Sequence, residues 1–258
     1  MSKRQQTWTG WGQQTAQQHY LIEPRYLAGG GDLRHVTEYL HASGWIDNTP
    51  QNSGSALVFD SPDQTVRVAY QAPAGWQIHG VAQDHQPAWQ VSLTAQAPVE
   101  IVAGLTDALT KPRSAHAPNV WAPLTQQRWS TETGQEFTAV SPRRDAFVQY
   151  VATGPDQHWW MGARNEHGAV WNLQASPTTP LHLMQGLTEA LADPLPVMRP
   201  RGHVPPSNRI RTTSVSVRPD ELRAWQQTRV TSARATWGSA WTAARARAGA
   251  PSRFARSR

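Results

Sequence analysis

Two stretches of this chain carry the same text. SPDQTVRVAY at residues 61–70 returns as SPRRDAFVQY at 141–150, an offset of 80. PAWQVSLTAQAPVEIVAGLTDAL at 87–109 returns as AVWNLQASPTTPLHLMQGLTEAL at 169–191, an offset of 82. Trp89 then matches Trp171, Pro98 matches Pro180, Gly104-Leu105-Thr106 matches Gly186-Leu187-Thr188, and Trp76 falls beside Trp159 and Trp160. Agreement in residue type, order and spacing is the mark of a duplicated unit, and it constrains the fold more than any composition does. The change of offset places a two-residue insertion in one hairpin.

Each unit reads as α+β. In the first, Gly29-Gly30-Gly31 make a turn and Asp32 is placed to cap a helix running to about Ser43. Leu33, Val36, Tyr39 and Leu40 form its apolar stripe and Gly44 stops it. Strand character follows at 57–60. It recurs where Val66, Val68 and Tyr70, then Trp76, Ile78 and Gly80, then Trp89, Val91 and Leu93 alternate with polar residues. Short Pro- and Gly-bearing loops between these runs predict an antiparallel meander. Pro98 opens a closing helix with Ile101, Val102, Leu105 and Leu109 on its apolar face. The expected layout is two modules, each a roughly four-stranded antiparallel sheet closed by a C-terminal helix, packed as a pseudo-dimer. Only the first is expected to have an N-terminal helix, because 114–136 carries two prolines and little helical period. The boundaries drawn are a disordered lead-in at 1–24, modules at 25–112 and 118–195, and a linker at 196–218. A basic amphipathic helix is expected at 219–248 and a disordered end at 249–258.

These phrases carry a resemblance. RYLAGGGDLRHVTEYLHASGW, VFDSPDQTVRV, PAWQVSLTA and PVEIVAGLTDAL look like the actinobacterial, Streptomyces-type domain of unknown function numbered 317, which often occurs in two copies. The likeness covers about 24–195, closely to 110 and more loosely from 118. It implies an intracellular protein and supplies no established catalytic residue to carry over.

Charge divides the chain differently from the repeat. Residues 1–200 hold 12 Arg and Lys against 16 Asp and Glu, whereas 201–258 hold 12 Arg against Asp220 and Glu221. The high isoelectric point therefore belongs to the tail. There Val230, Ala233, Trp237, Ala240, Trp241 and Ala244 share one helical stripe, flanked by Arg223, Arg229, Arg234, Arg245 and Arg247. Arg223, Arg229, Arg234, Trp237, Trp241, Arg245 and Arg247 are the candidate contacts to DNA or RNA, or to a protein partner. Two other readings of the tail stay open: a solvated segment whose arginines reflect genome composition, and a helix docking on a partner or an anionic surface.

Little else in the chain points to chemistry. With no cysteine there are no thiolates, disulfides or Cys-based zinc sites, which fits a cytoplasmic setting. No apolar run suggests a signal peptide or membrane span. The histidines form no HxH, HxxxH or HExxH motif, so no metal or cofactor is expected. No nucleophile or kinase motif is present, and Asp60, Asp63 and Asp145 read as turn residues beside Ser-Pro. The strand tryptophans Trp76, Trp89, Trp160 and Trp171 could stack bases, although a floor for the closing helices is the simpler role. The expected function is non-catalytic binding: nucleic acid through the tail, or a protein partner through a sheet face or the tail helix.

Overall fold

The computed structural model describes residues 16–224 apart from 53, 113, 114, 134, 135, 153, 155 and 156, together with 227, 228 and 230. The first copy comprises α1 (Arg34–Ala42), β2 (Ile46–Asp47), β3 (Leu57–Asp60), β4 (Val66–Gln71), β5 (Gly75–Gly80), β6 (Trp89–Leu93) and α2 (Val99–Thr110). It follows β1 (Gln17–Glu23) and a 3-10 turn at Arg25–Leu27. The second comprises α3 (Ala122–Gln126), β7 (Ser130–Thr133), β8 (Glu136–Val140), β9 (Ala146–Val151), β10 (His158–Asn165), β11 (Gly168–Ala175) and α4 (Leu181–Ala192). After it come β12 (Val197–Pro200) and β13 (Arg211–Val217).

Each copy contributes five strands rather than four, and the two sets do not form separate sheets. They join edge to edge through β6 and β11 into one ten-stranded antiparallel sheet, in the order β2-β3-β4-β5-β6-β11-β10-β9-β8-β7. At the seam Val91 faces Ala175, Ser92 faces Gln174 and Leu93 faces Leu173. With the offset of 82, Ser92 and Gln174 are equivalents, so the seam is isologous and a pseudo-two-fold axis passes between them. The same axis passes between α2 and α4. A Cβ on Gly104 would lie 2.4 Å from the Gly186 carbonyl oxygen, and one on Gly186 would lie 2.6 Å from the Gly104 oxygen. Only hydrogen at both positions lets the helix backbones approach so closely.

One core runs under both copies. It takes in three equivalent pairs of buried tryptophans: Trp45 and Trp129, Trp76 and Trp159, Trp89 and Trp171. Val68, Ile78 and Val91 match Val148, Met161 and Leu173 on the same sheet face, beneath Val102, Leu105, Met184 and Leu187 of the helices. Trp76, Trp89 and Trp171 are therefore floor, as period-2 alternation on a half-buried strand suggests. Trp160 points the other way. It is 39% exposed on the open sheet face, where Phe147 meets it edge-on at 5.2 Å.

The second copy does have its opening helix, shortened to Ala122–Gln126. Both opening helices end alike. Trp45 and Trp129 donate their amides to Leu40 and Leu124, Gly44 and Arg128 donate to His41 and Thr125, and the residue before each tryptophan is left-handed (φ 81° and 60°). This is a Schellman stop. The Ser-Pro turns repeat as closely. Ser61 Oγ accepts the amides of Thr65 and Val66, and Ser141 Oγ accepts those of Asp145 and Ala146. At the first helix, Asp32 Oδ1 accepts the Arg34 amide.

Two segments expected to lack structure have it. β1, within the lead-in, pairs with both β12 and β13 in a second, three-stranded sheet. Both partners lie in the stretch expected to be linker. Gln17 pairs with Val217 and Ile22 with Val197, so the hydrogen bonds that make these strands come from the far end of the chain. Residues 219–224 are helical.

Candidate binding sockets

β1 delivers a short segment, Pro24–Gly31, into the second copy. Tyr26 is its anchor. Its ring meets Trp129 edge-on at 6.1 Å, its hydroxyl donates to Asp145 Oδ1 at 2.6 Å, and its carbonyl accepts Trp171 Nε1 at 2.8 Å. Arg25 reaches Asp193 at 2.6 Å and donates to the carbonyls of Ala190 and Leu195. Arg199 closes the far end. It donates Nε to Ala28 O and Nη2 to Gly29 O, and forks onto Glu100 Oε1 and Oε2 at 2.7 and 2.8 Å. The Val99 amide at the start of α2 donates to Gly30 O at 2.6 Å.

The electrostatics follow from this closure. Burial opposes ionisation of Glu100, yet the Arg199 hydrogen bonds and charge outweigh it and hold the carboxyl below its usual range. Burial, then the Asp145 hydrogen bond, pushes the Tyr26 phenol far above its ordinary value, so it stays a neutral donor. Asp145 is fully buried. Oδ1 also accepts Ser141 Oγ at 2.8 Å, whereas Oδ2 has only Arg143 Nε at 3.5 Å.

The first copy has an equivalent socket in which, among the described residues, no segment lies. A cavity of about 470 Å³ is lined by Trp45, Ser61, Thr65, Trp89, Leu109 and Lys111, among others. In the second copy these correspond to Trp129, Ser141, Asp145, Trp171, Leu191 and Asp193, the walls around Tyr26. What remains free beside Tyr26 is about 230 Å³. The helix start beside each socket comes from the other copy: Pro98, Val99 and Glu100 of α2 at the filled one, Pro180, His182 and Leu183 at the start of α4 at the open one. Val99, covered by the segment, is 1% exposed and Leu181 is 49% exposed. A second cleft of about 720 Å³ runs along the seam of α2 and α4, with His35, Asp107, His116, Gln185 and Glu189 on its walls.

Of the tail residues expected to bind, Arg223 is exposed within the helical 219–224. Arg229, Arg234, Trp237, Trp241, Arg245 and Arg247 lie outside the described residues. Val230 packs on Tyr39 and Ala42 of α1, at the rim of the open socket. Among the described residues no group of three or more His, Asp and Glu could hold a metal ion, and no helix is long and apolar enough to cross a membrane. Sequence reasoning placed Trp89, Trp171 and Asp145 as core and turn and did not see a socket. The signal it could have used is RYLAGGGD standing before the first copy with no counterpart before the second.

The family model described as SPDY, domain of unknown function (DUF317), matches this chain twice, over residues 60–115 and again over 140–197. Each span covers most of one structural copy, consistent with a tandem pair. The first ends just beyond α2 and the second just beyond α4. No curated protein and no solved structure gave a match.

Proposed function

We propose that this chain is a non-catalytic adaptor that recognises a protein partner by capturing a short segment folded as a turn. The observation behind the reading is the chain's own Pro24–Gly31 segment. It is held by an aromatic pair, an indole N–H to a main-chain carbonyl and a helix-start amide to a second carbonyl. Main-chain contacts of this kind supply affinity while one side-chain pocket supplies selectivity. A random heptapeptide library displayed on phage and selected against the full chain tests it. Aromatic-bearing sequences are expected to be enriched, and Trp89→Phe is expected to reduce their capture. No enrichment would refute the reading.

A second reading rests on the charge split. The Arg-rich tail is proposed to bind DNA or RNA non-specifically, since the body through residue 200 is net acidic and the positive charge is concentrated beyond it. Fluorescence anisotropy with labelled duplex should show affinity falling with salt, by a log–log slope of about 0.9 for each phosphate neutralised. Deleting 231–258 removes six arginines and should flatten that slope. A salt-independent signal would exclude it.

A further inference from the structure

The two sockets are related by the pseudo-two-fold axis, so the filled one is a template for what the open one takes. We infer that the first-copy socket binds a partner's short turn-forming segment in which an aromatic residue is preceded by a carboxylate side chain. This rests on the segment-capture reading and adds the chemistry of the ligand.

The aromatic follows from what is retained. Trp45 and Trp89 line the cavity at the positions equivalent to Trp129 and Trp171, although the Trp89 indole lies over Gly80, where the second copy has Ala163. Trp171 Nε1 donates to Tyr26 O, whereas Trp89 Nε1 is packed against Gly80 and has no acceptor among the described residues. The helix starts differ in the same way. The Val99 amide donates to Gly30 O, and its mate, the Leu181 amide, has no acceptor among the described residues. Among the described residues one main-chain donor is thus left open at a position where the captured segment offers a carbonyl. The open volume is about twice that left beside Tyr26.

The carboxylate follows from what has changed. Arg25 of the captured segment is held by Asp193, with Glu100 among the neighbouring charges. Their equivalents in the open socket are Lys111 and His182. Thr65 replaces Asp145, so three acidic positions become lysine, histidine and threonine; Asp63 in place of Arg143 is the one change of opposite sign, and it is tied to Ser61 and Thr65. Lys111 is 62% exposed and lies 3.4 Å from Asp107, its i,i+4 neighbour, so it can turn to a second anion. An arginine in the Arg25 position would meet Lys111, and an acid there would be matched. The chain's own tail does not fit this charge: residues 231–258 contain no Asp or Glu.

The test uses the full chain and three labelled peptides. These are the captured segment itself (Pro-Arg-Tyr-Leu-Ala-Gly-Gly), the same with Glu for Arg, and the Glu version with Ala for Tyr. Fluorescence anisotropy should show the Glu-Tyr peptide binding about fivefold or more tighter than the Arg-Tyr peptide, the scale of a partly exposed ion pair. The Glu-Ala peptide should bind weakest. Lys111→Asp with His182→Glu, which restores the second copy's charges at exposed or half-buried positions, should invert the preference. If Arg-Tyr binds as well as Glu-Tyr to the unaltered chain, the carboxylate assignment is overturned while segment capture stands. If neither tyrosine peptide binds, segment capture falls too. If they bind only after Trp237→Ala with Trp241→Ala, the occupant is the chain's own tail and the partner assignment is overturned.

Discussion

Arg199→Met separates the contribution of a buried ion pair from that of the segment it clamps. Arg199 and Glu100 are 3% and 9% exposed, and the guanidinium makes five hydrogen bonds: two to the carboxylate and three to the carbonyls of Ala28, Gly29 and Met198. Removing the arginine alone leaves a buried carboxylate without its cation, at a cost of about 3–5 kcal/mol. Replacing both partners, Arg199→Met with Glu100→Met, removes the charge problem. It leaves only the carbonyls short of donors, so the double variant should lose about 1–3 kcal/mol and be more stable than the single one. Urea unfolding followed by far-UV circular dichroism reads both as midpoint shifts at constant m. The pH dependence is a second handle. The Glu100 carboxyl is held below its unfolded value of about 4.3, so its contribution is present above that pH and lost as pH falls through the folded value. In Arg199→Met the uncompensated carboxyl is raised instead, and the variant should lose further stability between about pH 5 and 7. A single variant within 1 kcal/mol of the parent, or a double variant worse than the single, would refute the clamp.

Gly104→Ala should destabilise by about 2 kcal/mol. The new methyl meets the Gly186 carbonyl and Ala190 Cβ at 2.4 and 2.5 Å, an overpacking cost of about 3 offset by about 1 of helix propensity; a urea series checks it. Ser141→Ala should cost more than Ser61→Ala, by about 1–2 kcal/mol in the same assay. Ser141 donates to a fully buried carboxylate, whereas the Ser61 partner Asp63 is exposed. Tyr26→Phe strips one of the two strong donors from Asp145 Oδ1 and should cost about 1–3 kcal/mol, while Tyr26→Ala should also make the second-copy socket accessible to the Arg-Tyr peptide.

The hairpins and closing helices were legible because their signals are local. Val66, Val68 and Tyr70 alternate, Pro98 sits at a helix start, and Ser-Pro recurs at a fixed offset. The joining of the two sheets was not, because its central pair, Ser92 and Gln174, is polar and on the open face, so neither residue marks an interface. Gly104 and Gly186 were visible as repeats, but their role needs the partner helix. The opening helix of the second copy was hidden by Pro123 and by having one buried residue, Leu124. The match of Leu40 and Trp45 to Leu124 and Trp129, at an offset of 84, would have found it. β1, β12 and β13 had no local signal, since each draws its hydrogen bonds from the other end of the chain. The socket shared that difficulty: Tyr26, Asp145, Trp171 and Arg199 are brought together only by the finished fold.

A two-fold arrangement makes two sockets, but a single chain has one lead-in. Before the first copy stands PRYLAGGGD (24–32), which supplies the aromatic anchor and the glycines that pass close to Val99 and Arg199. Before the second stands PRSAHAPNV (112–120), which has no aromatic and no glycine, so it cannot place a ring between Trp45 and Trp89 in the same way. Among the described residues, duplication thus leaves the first-copy socket without an equivalent segment, and its walls differ from those of the filled one. Trp45, Trp89 and Ser61 are kept, while Asp193, Glu100 and Asp145 have become Lys111, His182 and Thr65. A socket that had merely lost its segment would gain by filling: a larger side chain at Thr65 would bury the apolar wall at about 25 cal/mol per Å². Instead, among the described residues, the socket keeps about 470 Å³ and carries Lys111 and His182 where the filled one has Asp193 and Glu100, which is what the proposed capture of a different segment requires.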